Sequence, residues 1–163
     1  MREAEIGVVL GAVTLIVAAV LQSVALPHLA ILGVKVDLVL LIVVALSIRQ
    51  GVERGVVWAL FAGGIVDLLS AGPFGTSVIA YGLAGVLAGT FGPTMRKASA
   101  LLPLILTPLT SILATLAAAF VMALLGWRVP WPSTVALVVL PAAVLDSVAM
   151  LVVYPLVSAV DRG

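Results

Sequence analysis

The chain has 163 residues, 64% of them hydrophobic and 9% charged, with a formal net charge of +1 and a mean hydropathy of +1.37. Soluble domains are about 45–50% apolar and about 25% charged, so no aqueous core hides this much apolar surface, and the chain reads as an all-α polytopic membrane protein, one six-helix transmembrane domain over residues 1–163. The near-neutral charge offers no nucleic-acid footprint, and zero cysteine excludes disulfides, thiolate zinc sites and thiol catalysis.

The first apolar segment, Ile6 to Leu26, has Arg2 ahead of it in the manner of a secretory signal. Its length of about 21 residues, the lack of a small-x-small cleavage site before Pro27 and the spans that follow instead predict a retained first helix. Pro27 and Gly33 bracket a connection that carries His28, and a lone imidazole makes neither a metal site nor a triad. Asp37 stands where an N-cap belongs, ahead of a helix running to Ser47 or Arg49. About 13 residues at 1.5 Å each reach roughly 20 Å, short of the roughly 30 Å hydrocarbon core. This second helix therefore uses a thinned bilayer, recruits flanking residues or is shielded by neighbours. A re-entrant second helix is the alternative, leaving five full spans and termini on opposite sides.

The third helix is expected from Gly55 to Ser70, followed by a tight turn at Gly72, Pro73 and Gly75. A fourth runs from Thr76 to Phe91 and is closed by Gly92-Pro93, after which Arg96 and Lys97 form a basic connection. A fifth, Leu101 to Leu125, is expected to kink at Pro103 and Pro108. Gly126 to Ser133 reads as an interfacial loop with Trp127 and Trp131 at headgroup level, and Val135 to Val160 is the sixth span. With six spans, one side holds Arg2, Arg49, Arg54, Arg96, Lys97 and Arg162 and the other only Lys35 and Arg128. Lysine and arginine concentrate on the cytoplasmic side, so both termini are placed in the cytoplasm.

Acids inside apolar sequence are costly, at least about 2.5 kcal/mol on insertion scales, and each asks for a partner. Asp67 falls near the C-terminal end of the third helix, where the dipole disfavours it; backbone N–H groups of the Gly72 to Thr76 turn and the start of the fourth helix are the expected donors, with a ligand or partner site as the functional alternative. Asp37 and Asp67 are expected toward one side, where both can share Lys35 or a polar cavity. Asp146 falls near the middle of the sixth span and must face the bundle interior, with Thr107, Thr110, Ser111, Thr115 and Ser147 as available hydroxyls; a proton relay there is the sharper hypothesis, hydrogen-bonded packing the simpler one. Gly63 with its neighbours Ala62 and Gly64, and the run Gly82, Gly85 and Gly89, predict close helix contacts, chiefly within the molecule. No Walker-type loop, Ser/His/Asp constellation or metal-ligand spacing is present, so no catalytic residue, cofactor or metal is expected.

The order Asp37-Leu-Val-Leu-Leu, Arg49-Gln-Gly51, Gly55, Ala62-Gly63-Gly64-Ile-Val-Asp67-Leu-Leu-Ser70 and Gly72-Pro73-Phe74-Gly75 resembles the rod shape-determining MreD family, in motif over residues 35 to 90 and in architecture over the whole chain. The chain differs from many members in carrying Val36 where proline precedes the first acid, and Thr76 and Ser77 where a histidine follows the last glycine. The resemblance implies a non-enzymatic, multi-pass component of the bacterial inner membrane that binds MreC and, through it, the class B transpeptidase, RodA and MreB, supporting peptidoglycan synthesis and cell shape. The motif and the reading of the residues together mark Asp37, Arg49, Gly63, Asp67, Gly72, Pro73, Gly75, Gly85, Gly89 and Asp146 as structural or partner-binding candidates. The resemblance also implies a fold similar to the substrate-capturing S-components of energy-coupling-factor vitamin transporters. Capture of a small molecule in an outward pocket is therefore the competing function, and a proton-coupled transporter resting on Asp146 a third.

Overall fold

The computed structural model describes residues 2–24, 35–95 and 101–160, and His28, Arg96, Lys97 and Arg162 lie outside them. The described residues form helices α1 (Arg2–Val24), α2 (Leu38–Gln50), α3 (Val52–Leu69), α4 (Thr76–Met95) and α5 (Leu102–Leu124). A last run follows as one turn, α6 (Trp131–Thr134), a π-helical turn (Val135–Val139) and α7 (Leu140–Val160). Three stretches, Gly7–Val24, Pro103–Leu124 and Trp131–Ala159, are long and apolar enough to cross a membrane, and Leu38–Gln50 and Thr76–Gly92 are shorter apolar helices.

The short α2 is the centre of the bundle. Every residue from Val39 to Ile48 is buried, and α1, α3, α4, α5 and α7 all pack around it. A helix that is apolar on every side is stable only when covered on every side, and its one hydroxyl, Ser47, is satisfied by the Val43 carbonyl at 2.7 Å. Of the three remedies expected for its length, shielding by neighbours is the one adopted. The peripheral helices are one-sided by contrast: α1 buries Leu15, Ala18 and Ala19 and exposes Val9, Val13, Val17 and Leu21.

Small residues set how closely these helices approach. A Cβ on Gly63 would stand 2.6 Å from the Val78 Cα, one on Gly89 2.5 Å from the Val52 Cα, and one on Gly92 2.5 Å from the Ile48 Cα. Gly85 rests against Ala59 and the Gly55 carbonyl, whereas Gly82 faces open space, so the contact stripe of α4 is Gly85, Gly89 and Gly92 rather than the expected stripe beginning at Gly82. Trp58 carries α1, its ring lying on Gly11 and its indole N–H donating to Gln50 Oε1 at 3.0 Å. At the same end of α2, Arg49 Nη1 donates to Ser158 Oγ of α7 at 3.0 Å.

Several helix limits differ from expectation. α3 starts at Val52, directly after Gly51 at φ 89°, so a single glycine makes the α2–α3 turn. α4 continues through Gly92-Pro93 to Met95, because the seat of Gly92 on Ile48 holds its last turn against α2 past the proline. Pro103 sits in the first turn of α5, where its missing N–H would have no helical partner in any case, and of the two expected kink sites only Pro108 is interior. The tryptophan loop is shorter than expected, since α5 ends at Leu124, Gly126 turns at φ 87° and helix resumes at Trp131. The π-helical turn has a cause in Pro141: its ring would strike the Leu137 carbonyl in a regular helix, and the wider turn, closed by Leu140 N–H to the Val135 carbonyl, makes room for it.

Candidate functional site

Five helices meet in one polar network where α1 and α3 finish and α2 and α4 begin. Asp37 caps α2 as expected, its Oδ1 accepting from the Leu40 N–H at 3.0 Å. The same carboxylate accepts from Gln22 Nε2 of α1 at 3.0 Å and from the Tyr81 hydroxyl of α4, which lies 2.8 Å from one oxygen and 2.7 Å from the other. Gln22 completes the cap by accepting the Val39 N–H at 3.0 Å. The Asp37 N–H donates to Asp146 Oδ1 of α7 at 3.0 Å, and Ser111 of α5 donates to Asp146 Oδ2 at 2.6 Å. Hydrogen bonding of this density is what burial away from water requires, and no buried side-chain nitrogen or oxygen among the described residues is left without a partner.

A cavity of about 330 Å³ opens beside this network. Asp37, Tyr81 and Asp146 contribute its acidic and phenolic lining, Ser77 and Thr115 add hydroxyls, and the exposed Lys35 is also among its lining residues. Its other walls are apolar: Leu40 and Val138 with Ala80, Ala114, Ala118 and Ala142. Ser111 lies midway along α5 and Asp146 midway along the last helical run, 131–160, whereas Gln22, Asp37 and Tyr81 lie toward the ends of their helices. The α5–α7 hairpin therefore continues beyond the network, exposing Phe120, Leu124, Trp131 and Leu137.

Asp67 forms a separate device. It is buried, and its Oδ2 accepts from the N–H groups of Gly75 and Val78 at 2.8 and 3.2 Å while Oδ1 accepts from that of Ser77 at 2.9 Å. The donors are those expected of it, the turn and the opening of α4, and the N-terminal dipole of α4 offsets the unfavourable end of α3. Gly72 and Pro73 shape this turn and Gly75 makes it at φ 100°. The expected sharing of one cavity by Asp37 and Asp67 is corrected, since Asp37 shares its cavity with Asp146. Of the five hydroxyls named for Asp146, only Ser111 reaches it. Thr107, Thr110, Thr115 and Ser147 bond to carbonyls of their own helices three or four residues back, the usual alternative for helical hydroxyls.

Gln22 and Tyr81 were absent from the expected site. Each is a polar group inside an apolar helix and so carried the same signal as the acids, a need for a partner. Removing the Tyr81 hydroxyl by Tyr81→Phe is expected to lower stability by about 1.5–3 kcal/mol, the range for a hydrogen bond to a charged group. A thermal melt of the detergent-solubilised protein reads it, and an unchanged melt would show that the Tyr81–Asp37 bond contributes nothing net.

The family model for rod shape-determining protein MreD matches residues 3–160. The chain belongs to the MreD family. No curated protein and no solved structure matches it. Membership brings a role in rod shape determination and a place in a bacterial membrane, in keeping with the membrane-length apolar helices. Among the MreD family motif residues, Asp67 with Gly72, Pro73 and Gly75 forms the cap, Asp37 joins the five-helix network that borders the cavity, and Arg49, Gly51, Gly55 and Gly63 serve helix contacts and the α2–α3 turn.

Proposed function

We propose that this MreD family protein is a non-enzymatic scaffold of the bacterial inner membrane, which seats the membrane anchor of MreC and so links the class B transpeptidase, RodA and MreB during peptidoglycan synthesis. Six helical runs cross the bilayer with both termini cytoplasmic, a reading supported by the six-to-two division of lysine and arginine between the two sides. The cavity beside Asp37 and Asp146 then faces outward. The observation that carries the proposal is this cavity, together with the exposed apolar hairpin that continues past it. A partner helix lies along the hairpin, and the segment that follows it turns into the cavity.

The cavity also favours a second reading, capture of a small molecule, as in energy-coupling-factor S-components. Few polar groups were expected on this side, yet Asp37, Ser77, Tyr81, Thr115 and Asp146 converge there from four different helices or their caps. Its volume stands at the low end of the roughly 300–1,000 Å³ typical of ligand pockets. Co-expression of the tagged protein with MreC, and separately with an energy-coupling-factor transmembrane subunit, followed by detergent purification, separates the readings. Recovery of MreC alone is the expected outcome; recovery of the transporter subunit or of a co-purifying vitamin would replace the scaffold by a capture subunit.

A further inference from the structure

We infer that the cavity is built to receive one cationic side chain, an arginine or lysine carried by the partner segment just outside its membrane helix. The inference rests on the scaffold reading and deepens it. The cavity, about 330 Å³ and at the low end of the roughly 300–1,000 Å³ typical of ligand pockets, has room for a long side chain.

Charge selects which side chain. Two carboxylates border the cavity, and neither has a basic partner among the described residues: Asp37 is held by Gln22, the Leu40 N–H and Tyr81, and Asp146 by Ser111 and the Asp37 N–H, all neutral donors. Asp146 is only 1% exposed. An ionised carboxylate offers about four acceptor positions, so Asp146 with two bonds retains accepting capacity for a charge-assisted bond, roughly twice as strong as a neutral one. Among the described residues lining the cavity Lys35 is the one cation, set against two acids.

The walls select its shape. Leu40 and Val138 with Ala80, Ala114, Ala118 and Ala142 make an apolar wall beside the carboxylates, and arginine and lysine lay an aliphatic stem along apolar surface while delivering the charge at its tip. A compact metal ion would leave those walls bare, and no group of three metal-ligating side chains occurs among the described residues.

The test is a set of double-mutant cycles on the complex with MreC in lipid nanodiscs. Asp146→Asn is combined with alanine substitution of each lysine and arginine in the segment just outside the MreC membrane helix, and affinity is measured for every pair. One basic residue is expected whose removal weakens binding by about 30-fold or more against the wild-type protein, and by little against Asp146→Asn. Ala118→Leu, which fills the cavity from its wall without touching an acid, is expected to erase the same dependence, and it serves if Asp146→Asn does not fold. Binding of MreC with strictly additive losses in every cycle would overturn the cationic seat and leave the scaffold standing. So would an Asp146→Asn effect that appears only with amine-headgroup lipids, which would assign the cavity to lipid. Failure of the wild-type protein to bind MreC at all would overturn both.

Discussion

Gly63→Leu is expected to abolish recovery of folded protein. A Cβ at this position meets the backbone of α4 at 2.6 Å from the Val78 Cα, 2.8 Å from the Val78 N and 2.8 Å from the Ser77 carbonyl oxygen. No rotamer change relieves a contact with backbone, so α3 and α4 must separate. That separation also pulls Asp67 away from the N–H groups of Gly75, Ser77 and Val78. Overpacking in cores costs typically about 1–3 kcal/mol when side chains can adjust, and here the loss of the cap adds to it. The neighbouring Gly64 supplies the control: nothing lies within 4 Å of its Cβ position, and Gly64→Leu is expected to be tolerated. Yield of monodisperse protein in detergent and its melting temperature decide between them. Equal behaviour of the two variants would mean that helix separation is not set by Gly63.

Asp67→Ala is expected to destabilise by about 3 kcal/mol, the low end for three orphaned donors because the three bonds are part-buried. Three N–H groups at the turn and the first residues of α4 lose their acceptor, and each orphaned donor costs about 1–3 kcal/mol when buried. Lipid offers no water to replace the carboxylate. Asparagine replaces the carboxylate only in part, because both oxygens are engaged, Oδ2 by Gly75 and Val78 and Oδ1 by Ser77. An asparagine has one acceptor oxygen and presents an NH₂ group to at least one backbone donor, so Asp67→Asn is expected to fall between alanine and wild type. A melting-temperature series of wild type, Asn and Ala reads the order. An asparagine variant as stable as wild type would show that one acceptor suffices.

The sequence made the Asp67 cap legible for a local reason: acceptor and donors lie within eleven residues of each other, on two helices joined by a glycine and proline turn. The N-cap role of Asp37 was legible on the same grounds. The partners Gln22, Tyr81 and Asp146 were not, since the Asp37 N–H and Asp146 are 109 residues apart and only the meeting of α2 with α7 joins them. Of the glycines read as places of close approach, Gly63, Gly85 and Gly89 touch a neighbouring helix and Gly64 and Gly82 do not, while Gly92, read as a helix end, seats on Ile48; which of them touch depends on helix rotation.

By itself the sequence determined that this is an all-helical membrane protein, where its helices fall to within a few residues, and which polar groups need partners, because transfer energies, caps and turn residues act locally. The family motif is equally a property of residue order. Tertiary structure alone decided that the shortest apolar helix is the covered centre of the bundle, and that Asp37 and Asp146 border one cavity with an apolar wall. These outcomes arise from how five helices rotate and pack against a sixth, a choice made by shape complementarity between segments far apart in the chain.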